Sequence, residues 1–168
     1  MIDCIEIHPI GFDEACFFIG RHHRTCGIPN RLSHIQSYMA LIDNKPLGII
    51  MFNRPCGSWS SHIKIVELSR ICFTPHLSGR RFYKAPSKIV SDACDMFLQD
   101  HHVDGFITYI HENERGLYLS HSGFEKDAVV EYGKGSKGWN NRPGRKPSNI
   151  QTKIRFFKPN WLCLSQPG

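Results

Sequence analysis

Two adjacent histidines near the N-terminus can carry out acid–base chemistry close to neutral pH. His22 and His23 stand between Arg21 and Arg24, at the end of a segment that predicts a helix from about Gly11. Four consecutive basic or imidazole side chains make a poor core face, so at least one histidine is expected to line a cleft, as a base or as a metal ligand. The alternative is a pair of helix-end histidines that interact favourably with the helix dipole.

Polar side chains also interrupt an apolar strand. The segment IKIVELSRICF, residues 63–73, carries Glu67, Ser69 and Arg70 at its centre. Strict alternation along a strand puts Glu67 and Ser69 on one face and Arg70 on the other. A carboxylate in a central strand is rarely buried without a partner. Glu67 is therefore either one half of a structural ion pair with an arginine or a base that acts on a substrate amine.

The segment GFITYIH, residues 105–111, reads as a short buried strand that ends in polar groups. Tyr109 lies near its end, and His111 and Glu112 follow. Ligands in α/β sheets favour the carboxyl ends of strands. We expect Tyr109, Glu112 and one histidine of the 22–23 pair to converge there. Such a mixed nitrogen and oxygen set suits iron or another divalent metal.

The C-terminal part of the chain is strongly basic. Eight lysines and arginines and no acid follow Glu131, and the whole chain has a net charge of +6. Lysine and arginine bind phosphates without sequence preference, and an aromatic ring can stack on an unpaired base. The segment 132–158 is therefore expected to bind nucleic acid, the alternative being a solvated basic surface. Its candidate contacts lie in the loop GWNNRPGRK, residues 138–146: Trp139, Asn140, Arg142, Arg145 and Lys146.

Composition and cysteine spacing exclude several classes of protein. At 168 residues the chain is expected to form one domain with its own core. No apolar run approaches the roughly 18 residues of a membrane span, and the N-terminus lacks the basic and apolar regions of a signal peptide, which predicts a cytoplasmic protein. The seven cysteines are scattered without a CxxC pair. This spacing excludes a ribbon-type zinc site and argues against a disulfide framework.

The elements that must position these groups alternate between helices and strands. Hydrophobic periodicity predicts helices over 11–23, 85–99 and 112–122 and strands over 38–43, 47–53, 63–73, 105–111, 127–133 and 152–159. This order, α–ββ–β–α–β–α–β–β, predicts an α/β fold in which helices pack on a mixed central sheet.

The order and the segment FITYIHENERGLYLSHSGF resemble the GNAT acyltransferases. The resemblance implies that ELSRICFTPH and the helix after it form an acyl-CoA site, with acetyl-CoA or another acyl donor as cofactor. Ser69 and Arg70 belong to that unit. The donor's pyrophosphate would lie at the N-terminus of the helix, where unpaired N–H groups favour anions, and Arg80, Arg81 and Ser87 are the expected contacts there.

Two departures from the GNAT pattern stand out. The glycine-rich pyrophosphate loop is reduced to Gly79, and Leu119 occupies the position, four residues before Gly123, where the family often has a catalytic tyrosine. Tyr118 is adjacent and is expected to point elsewhere on the helix. An ordinary acetyltransferase mechanism is therefore not expected.

A narrower resemblance accounts for these departures. GRHHR, ELSRICF, ITYI with GLYLSHSGF, and GWNNRPGR occur in the same order in the phage Mom family of DNA-modification proteins, which the chain resembles over residues 15–158. Members attach a carbamoylmethyl group to N6 of adenine in phage DNA, which protects the DNA from restriction. The resemblance implies double-stranded DNA as partner and an enzyme that acts in the host cytoplasm.

The chemistry of that reaction selects the catalytic candidates. The N6 amine is a poor nucleophile because its lone pair is delocalised into the ring, so the site must accept a proton. The groups that can do so are His22, His23, Glu67, Tyr109 and Glu112. Two alternatives remain: an ordinary CoA-dependent N-acetyltransferase acting on a protein or small amine, and a non-catalytic basic DNA-binding protein with a decayed GNAT fold.

Overall fold

The computed structural model describes residues 4–23, 27–55, 63–78, 82–132 and 151–160. Its strands and helices, in chain order, are β1 (Glu6–Ile10), α1 (Phe12–His22), β2 (His34–Ile42), β3 (Lys45–Asn53), β4 (Ile65–Phe73), α2 (Ala85–Asp100), β5 (Gly105–His111), α3 (Leu117–Ser120), β6 (Glu125–Tyr132) and β7 (Gln151–Pro159). Several predicted ligand contacts lie outside the described residues: Arg80, Arg81, Trp139, Asn140, Arg142, Arg145 and Lys146.

The strands form one mixed seven-stranded sheet in the order β1-β2-β3-β4-β5-β7-β6. Strands β4 and β5 pair in parallel, and every other neighbouring pair is antiparallel. The parallel pair is possible because α2 crosses over between its two strands. This arrangement confirms the α/β fold with helices packed on a mixed central sheet.

Two elements differ from the sequence prediction. Strand β1 was not predicted, and it pairs with β2 along its whole length at the edge of the sheet. The predicted helix over residues 112–122 is reduced to one turn, Leu117–Ser120. The chain after β5 instead closes a local turn, in which the Glu114 N–H donates to the His111 carbonyl at 2.9 Å. Gly116, with φ +60°, then changes the direction of the chain at the start of α3.

Helices cover the two faces of the sheet unequally. Helices α2 and α3 bury the larger core against one face, where the Phe52 ring stacks on Phe97 with centroids 4.5 Å apart. Helix α1 covers a smaller cluster on the other face, formed with Ile49, Met51 and Cys72. We call these the α2 face and the α1 face. No described helix is long and apolar enough to cross a lipid bilayer.

Strands β4 and β5 separate part of the way along their length. They pair over only three positions, residues 65–67 with residues 105–107. Just beyond the last pair, the Thr108 hydroxyl donates to the Leu68 carbonyl at 2.9 Å, in place of a backbone partner. A gap opens past this point between the carboxyl ends of two central strands.

A β-bulge on β4 changes which side chains share a face. Adjacent residues Met51 and Phe52 pair with Arg70 and Leu68, so Ser69 is the extra residue on β4. Because Asn53 pairs with Glu67 and Met51 with Arg70, the register puts both Glu67 and Arg70 on the α1 face. The prediction that Arg70 faces away from Glu67 was wrong, since it assumed strict alternation and the bulge breaks it.

Candidate active site

A cavity of about 470 Å³ opens where β4 and β5 separate. Its volume lies within the range of about 300–1,000 Å³ that is usual for ligand sites. The residues that line it come from both faces of the sheet: His22, His23, Leu68, Ser69, Ile71, Cys72, Phe73, Thr74, Pro75, Leu77, Pro86, Thr108, Tyr109, Ile110, His111, Glu114, Tyr118 and Lys153.

The cavity joins the two faces through the gap in the sheet. His22 and His23 reach it from the end of α1, which packs on the α1 face. Pro86 from α2 and Tyr118 from α3 reach it from the α2 face. The cavity is therefore lined by side chains from both faces of the sheet.

Both histidines of the GRHHR segment line the cavity because α1 ends between them. His22 is the last helical residue, and its ring lies 4.5 Å from that of Phe18. His23 is the C-cap residue and has extended backbone angles, with its N–H donating to the Ile19 carbonyl at 2.8 Å. Leaving the helix allows two adjacent side chains to reach the same cavity.

His23 is held in its neutral form. Burial lowers the pKa of His23 below its ordinary value of 6.5, and the Arg70 guanidinium and His111 lower it further, while Glu114 opposes them. Arg70 is itself fixed: its Nε and Nη2 atoms donate to the Gly27 carbonyl at 3.1 and 2.9 Å. An imidazole that is neutral at physiological pH can accept a proton, so His23 is suited to act as a base.

The ends of β5 and β7 contribute the rest of the α1 face of the site. Tyr109 pairs across the strands with Arg155, whose guanidinium it hydrogen-bonds, and His111 pairs with Lys153. Arg155 Nε also donates to Asp127. Tyr109, His111 and Lys153 line the cavity, so this side of the site is basic and aromatic.

Glu114 is a lining residue that sequence reasoning missed. Its Oε2 atom accepts a hydrogen bond from the His111 backbone N–H at 3.0 Å, which holds the carboxylate at the end of β5. It acts on the pKa of groups from both faces, raising those of His23 and Tyr118. Glu112, which was expected to converge here, is exposed in the turn and does not line the cavity.

Tyr118 lines the cavity, so the prediction that it points elsewhere was wrong. Tyr118 faces the gap, while the adjacent Leu119 is fully buried in the core. The Tyr118 ring packs edge-on against Phe73, with centroids 5.9 Å apart. Burial, followed by the nearby Glu114 carboxylate, raises the pKa of Tyr118 to about 12. The phenol therefore keeps its proton and can donate it.

The wall near α2 is mostly apolar. Phe73 is the last residue of β4, Pro75 and Leu77 follow it, and Pro86 lies in the first turn of α2. Ser87, the predicted phosphate contact, does not line the cavity, and its hydroxyl donates to the Lys84 carbonyl at 2.9 Å.

The polar residues at the centre of β4 occupy different places. Ser69 lines the cavity at the bulge, where its hydroxyl donates to Asn53 Oδ1 at 2.8 Å. Glu67 and Arg70 lie on the α1 face without lining the cavity. Within the described ranges, no three His, Cys, Asp or Glu side chains lie close enough to hold a metal ion together. The metal role of His22 or His23 stays a prediction.

Comparison with solved structures identifies the fold. An Elizabethkingia anophelis GNAT family acetyltransferase with acetyl-CoA bound matches with a TM-score of 0.58, 15% identity, and coverage of 94% of this chain and 99% of that one. The Escherichia coli ribosomal-protein-S18-alanine N-acetyltransferase matches with a TM-score of 0.62, 11% identity, and coverage of 98% and 96%. The fold is that of the GNAT acetyltransferases.

A spermidine N-acetyltransferase chimera from Vibrio cholerae and hSSAT matches the same GNAT fold, with a TM-score of 0.65, 9% identity, and coverage of 96% of this chain and 99% of that one. No protein-family model matches the chain, and no curated protein matches its sequence. The likeness is thus one of fold. The names of two of these structures give different acceptor amines, spermidine and the ribosomal-protein-S18 alanine.

Proposed function

We propose that this protein transfers a small acyl-derived, carbamoylmethyl-like group to the N6 amine of adenine in double-stranded DNA, as its resemblance to the Mom family implies. The observation that carries the proposal is the chemistry of the α1 side of the cavity. His22, His23, His111, Tyr109 and Lys153 line that side, and Glu114 is the one acid among the described lining residues.

This set of side chains suits a neutral amine. An amine that arrives as an ammonium ion, such as a polyamine or a lysine, needs carboxylates that offset its desolvation. The Arg70 guanidinium lies close enough to His23 to lower its pKa, so it also disfavours binding of a cationic amine beside His23. An aromatic exocyclic amine is uncharged at neutral pH, and the rings of the histidines and Tyr109 offer surfaces against which a base can stack.

A DNA partner also fits the charge around the site. Lys153 lines the cavity and Arg155 lies next to Tyr109 on the same face of β7. The basic segment 132–158 includes both of these residues. An enzyme that acts on N6 must take the base out of the stack, and cations beside the cavity would hold the flanking phosphates while it does so.

The α2 side of the cavity fits the acyl-carrying arm of a CoA-type donor. Past residue 67, β4 diverges from β5, which leaves room for an extended chain between them. The wall formed by Phe73, Leu77 and Pro86 is apolar, which suits a long, uncharged arm. When bound, such a donor supplies an activated acyl carbon and a sulfur leaving group.

The chain's own residues can then move the two protons that acyl transfer to an amine requires. The nitrogen bonds the acyl carbon as the carbon–sulfur bond breaks, which gives an N6-acyl adenine, and the amine loses a proton that the neutral imidazole of His23 can accept. A carbamoylmethyl group is bonded to N6 through a methylene carbon, so this step forms the acyl product and does not by itself form a carbamoylmethyl group. Tyr118 Oη holds a proton at neutral pH because its pKa is raised to about 12, and it can give this proton to the departing sulfur. Each transfer of this kind is worth about 10²–10⁴-fold in rate.

Nucleoside mass spectrometry tests the proposed function. Plasmid DNA is recovered from cells that express the wild-type protein or the His23→Ala variant, digested to nucleosides and compared. A mass-shifted deoxyadenosine that appears only with the wild type supports the proposal, and the size of the shift separates an acetyl from a carbamoylmethyl group. Unmodified DNA at full expression of folded protein contradicts it.

One observation favours a second candidate, an ordinary CoA-dependent N-acetyltransferase for a small amine or a protein. Tyr118 places a protonated phenol in the cavity despite Leu119 at the usual tyrosine position. That group can serve any acetyl acceptor. Incubation with acetyl-CoA and a panel of amines and N-terminal peptides, read by release of free thiol, distinguishes this candidate from a DNA-specific enzyme.

A further inference from the structure

Ile28 is a large apolar side chain that is exposed beside the cavity. It lies in the loop between α1 and β2 and is 64% exposed. The preceding residue, Gly27, is tied to β4, since the Nε and Nη2 atoms of Arg70 donate to its carbonyl at 3.1 and 2.9 Å. Arg70 lies between Ser69 and Ile71, which both line the cavity. Ile28 is therefore held next to the α1 side of the cavity.

The other end of the same loop is fixed as well. The Asn30 Oδ1 atom accepts from the Leu32 N–H at 3.0 Å and closes a turn. Ser33 joins this turn to the sheet, because its hydroxyl accepts from Asn53 Nδ2 at 2.7 Å. The backbone is thus anchored on both sides of Ile28, and the side chain projects from a fixed point of the surface.

The charged groups near Ile28 favour an anionic partner. The Arg70 guanidinium lies at the base of the loop, and Arg21 lies in the last turn of α1. Lys153 lines the cavity on the same side. A protein interface usually buries about 800 Å² per partner around several aromatic or arginine anchors. One apolar side chain among cations instead suits DNA, whose phosphates bind cations and whose base steps accept an apolar group.

Removal of a base from a duplex leaves an empty space in the stack. The loss of stacking opposes this removal, and proteins that deform DNA insert apolar side chains, isoleucine among them, between base steps. We propose that Ile28 is such a wedge: it enters the duplex and occupies the space left by the adenine that moves into the cavity. This inference rests on the proposed function, since it requires a base in the cavity, but it does not depend on the donor or on the group transferred.

The test follows base opening without any transfer reaction. The probe is a DNA duplex in which 2-aminopurine replaces part of the adenines, because the fluorescence of this base rises when it leaves the stack. Saturating wild-type protein should raise the fluorescence. Ile28→Ala should lower the opened fraction about tenfold, since it removes the carbons that fill the space. Ile28→Leu keeps the apolar volume and should open the duplex as the wild type does.

Leu32→Ala is the matched control for loss of an exposed apolar side chain. Leu32 is 84% exposed on the same loop, but it lies beside the start of α1, where Arg31 pairs with Asp13, whereas the cavity lies at the end of that helix. This variant should open the duplex normally. The I28A protein should keep the wild-type Tm, because Ile28 is exposed.

Single-stranded DNA supplies a second control, measured by fluorescence anisotropy. An unpaired base can enter the cavity without leaving a space in a duplex, so I28A and the wild type should bind single strands equally. A loss of single-strand binding as large as the loss of opening would mean that Ile28 contacts the strand itself, and it overturns the proposal.

The remaining outcomes also decide the question. Equal opening by I28A and the wild type overturns the proposal, as does an equal loss in L32A. A wild-type protein that binds no duplex, or binds it without opening it, overturns it too, and the former result would assign this surface to a protein partner. Failure of the proposed function looks different: the wild type opens the duplex, I28A does not, and the deoxyadenosine recovered from cells stays unmodified.

Discussion

The two sides of the cavity differ in how their side chains handle protons. On the α1 side, the imidazoles of His22, His23 and His111 line the cavity beside Glu114 and Lys153, and His23 is held in its neutral form. On the α2 side, the polar residues among the described part of the wall are Thr74, Thr108 and Tyr118, and Tyr118 keeps its proton. One side is suited to remove a proton from an acceptor, and the other to hold an uncharged chain and return a proton.

This division has a cause in the fold. Helix α1 is short and ends at the gap, so its polar C-terminal residues face the cavity. Helix α2 begins near the gap with Ala85 and Pro86 and carries a large core behind them. The difference indicates that catalytic power depends mainly on the α1 side, while donor affinity depends on the α2 side. The experiments below are ordered from the largest expected effect to the smallest.

Replacement of His23 by alanine should remove the proposed base on the α1 side of the cavity. We expect the rate of modification to fall about 10²–10⁴-fold, because the side chain proposed to accept the amine proton is lost, while acetyl-CoA binding stays unchanged. Modified deoxyadenosine per unit time is the measurement. His102→Ala is the control, since His102 is exposed at the end of α2. An active H23A protein would place the base elsewhere.

His22→Ala and Glu67→Ala sharpen the same comparison. Both residues were predicted to be catalytic, yet His22 lines the cavity and Glu67 does not. His22→Ala is expected to abolish modification, whereas Glu67→Ala tests whether a carboxylate outside the cavity still has the catalytic role predicted from the sequence. Both variants should leave DNA binding nearly intact, since neither side chain belongs to the basic segment. DNA binding is followed by fluorescence anisotropy beside the activity assay. Wild-type activity in either variant would remove that residue from the site.

Replacement of Tyr118 by phenylalanine tests the α2 side. The ring still packs against Phe73, but the proton donor is lost, so we expect kcat to fall about 10- to 100-fold with little change in the KM for the donor. Steady-state kinetics with acetyl-CoA give both constants. Tyr83→Phe, at an exposed tyrosine, is the control. A rise in KM alone would show that Tyr118 binds the donor and does not move a proton.

The basic segment can be tested through the salt dependence of DNA binding. If Arg142, Arg145 and Lys146 hold phosphates, changing all three to alanine should weaken binding to any sequence and flatten the slope of log K against log salt by up to about three. The matched control changes three exposed lysines outside the segment, Lys45, Lys64 and Lys126. A slope that does not change would mean that the loop faces another partner.

Glu114→Gln should have the smallest effect, a shift in the pH profile. The Glu114 carboxylate raises the pKa of His23, so its loss lowers that pKa and moves the acidic limb of the rate profile to lower pH. Activity above pH 7 should change little, because His23 is neutral there in both proteins. Rates of modification measured from pH 5 to pH 9 give the position of the acidic limb of the pH–rate profile. A limb that stays in place would show that another group controls it.

The same pKa shift has a consequence for stability. The folded protein disfavours the charged form of His23, so its pKa in the fold lies below the ordinary value of 6.5. The contribution of the neutral side chain to the free energy of unfolding is present above pH 6.5 and is lost as the pH falls through that region. The His23→Ala variant should therefore lose less stability between pH 7 and pH 5 than the wild type does.

Much of the fold could be predicted from local patterns. Apolar alternation marked β4 and β5, and β5 begins and ends where the sequence predicted. The stripe of Ile89, Val90, Ala93, Met96 and Phe97 predicted α2, and all of these residues are buried except Met96, which is partly buried. Apolar periodicity predicts such elements because each of them buries one face in the core. Strand β1 was missed because it is short, lies at an edge of the sheet and has only partly buried side chains.

The candidate site was only partly predictable, because its members are brought together by distant contacts. The residue types of His22, His23 and Tyr109 signalled chemistry, and the structure brings them to one cavity. Glu114 carried no such signal in the sequence. Its place depends on the turn after β5, in which two hydrogen bonds between His111 and Glu114 compete with helix formation.

By itself, the sequence determined the number and type of most elements, the basic C-terminal segment and the chemical groups available for catalysis. Only the tertiary structure decided how those groups meet. The bulge at Ser69 set the face of Arg70, the gap between β4 and β5 joined the two faces, and packing placed Tyr118 at the cavity and Leu119 in the core. Strand register and helix ends arise from long-range pairing, which residue patterns within one segment do not contain.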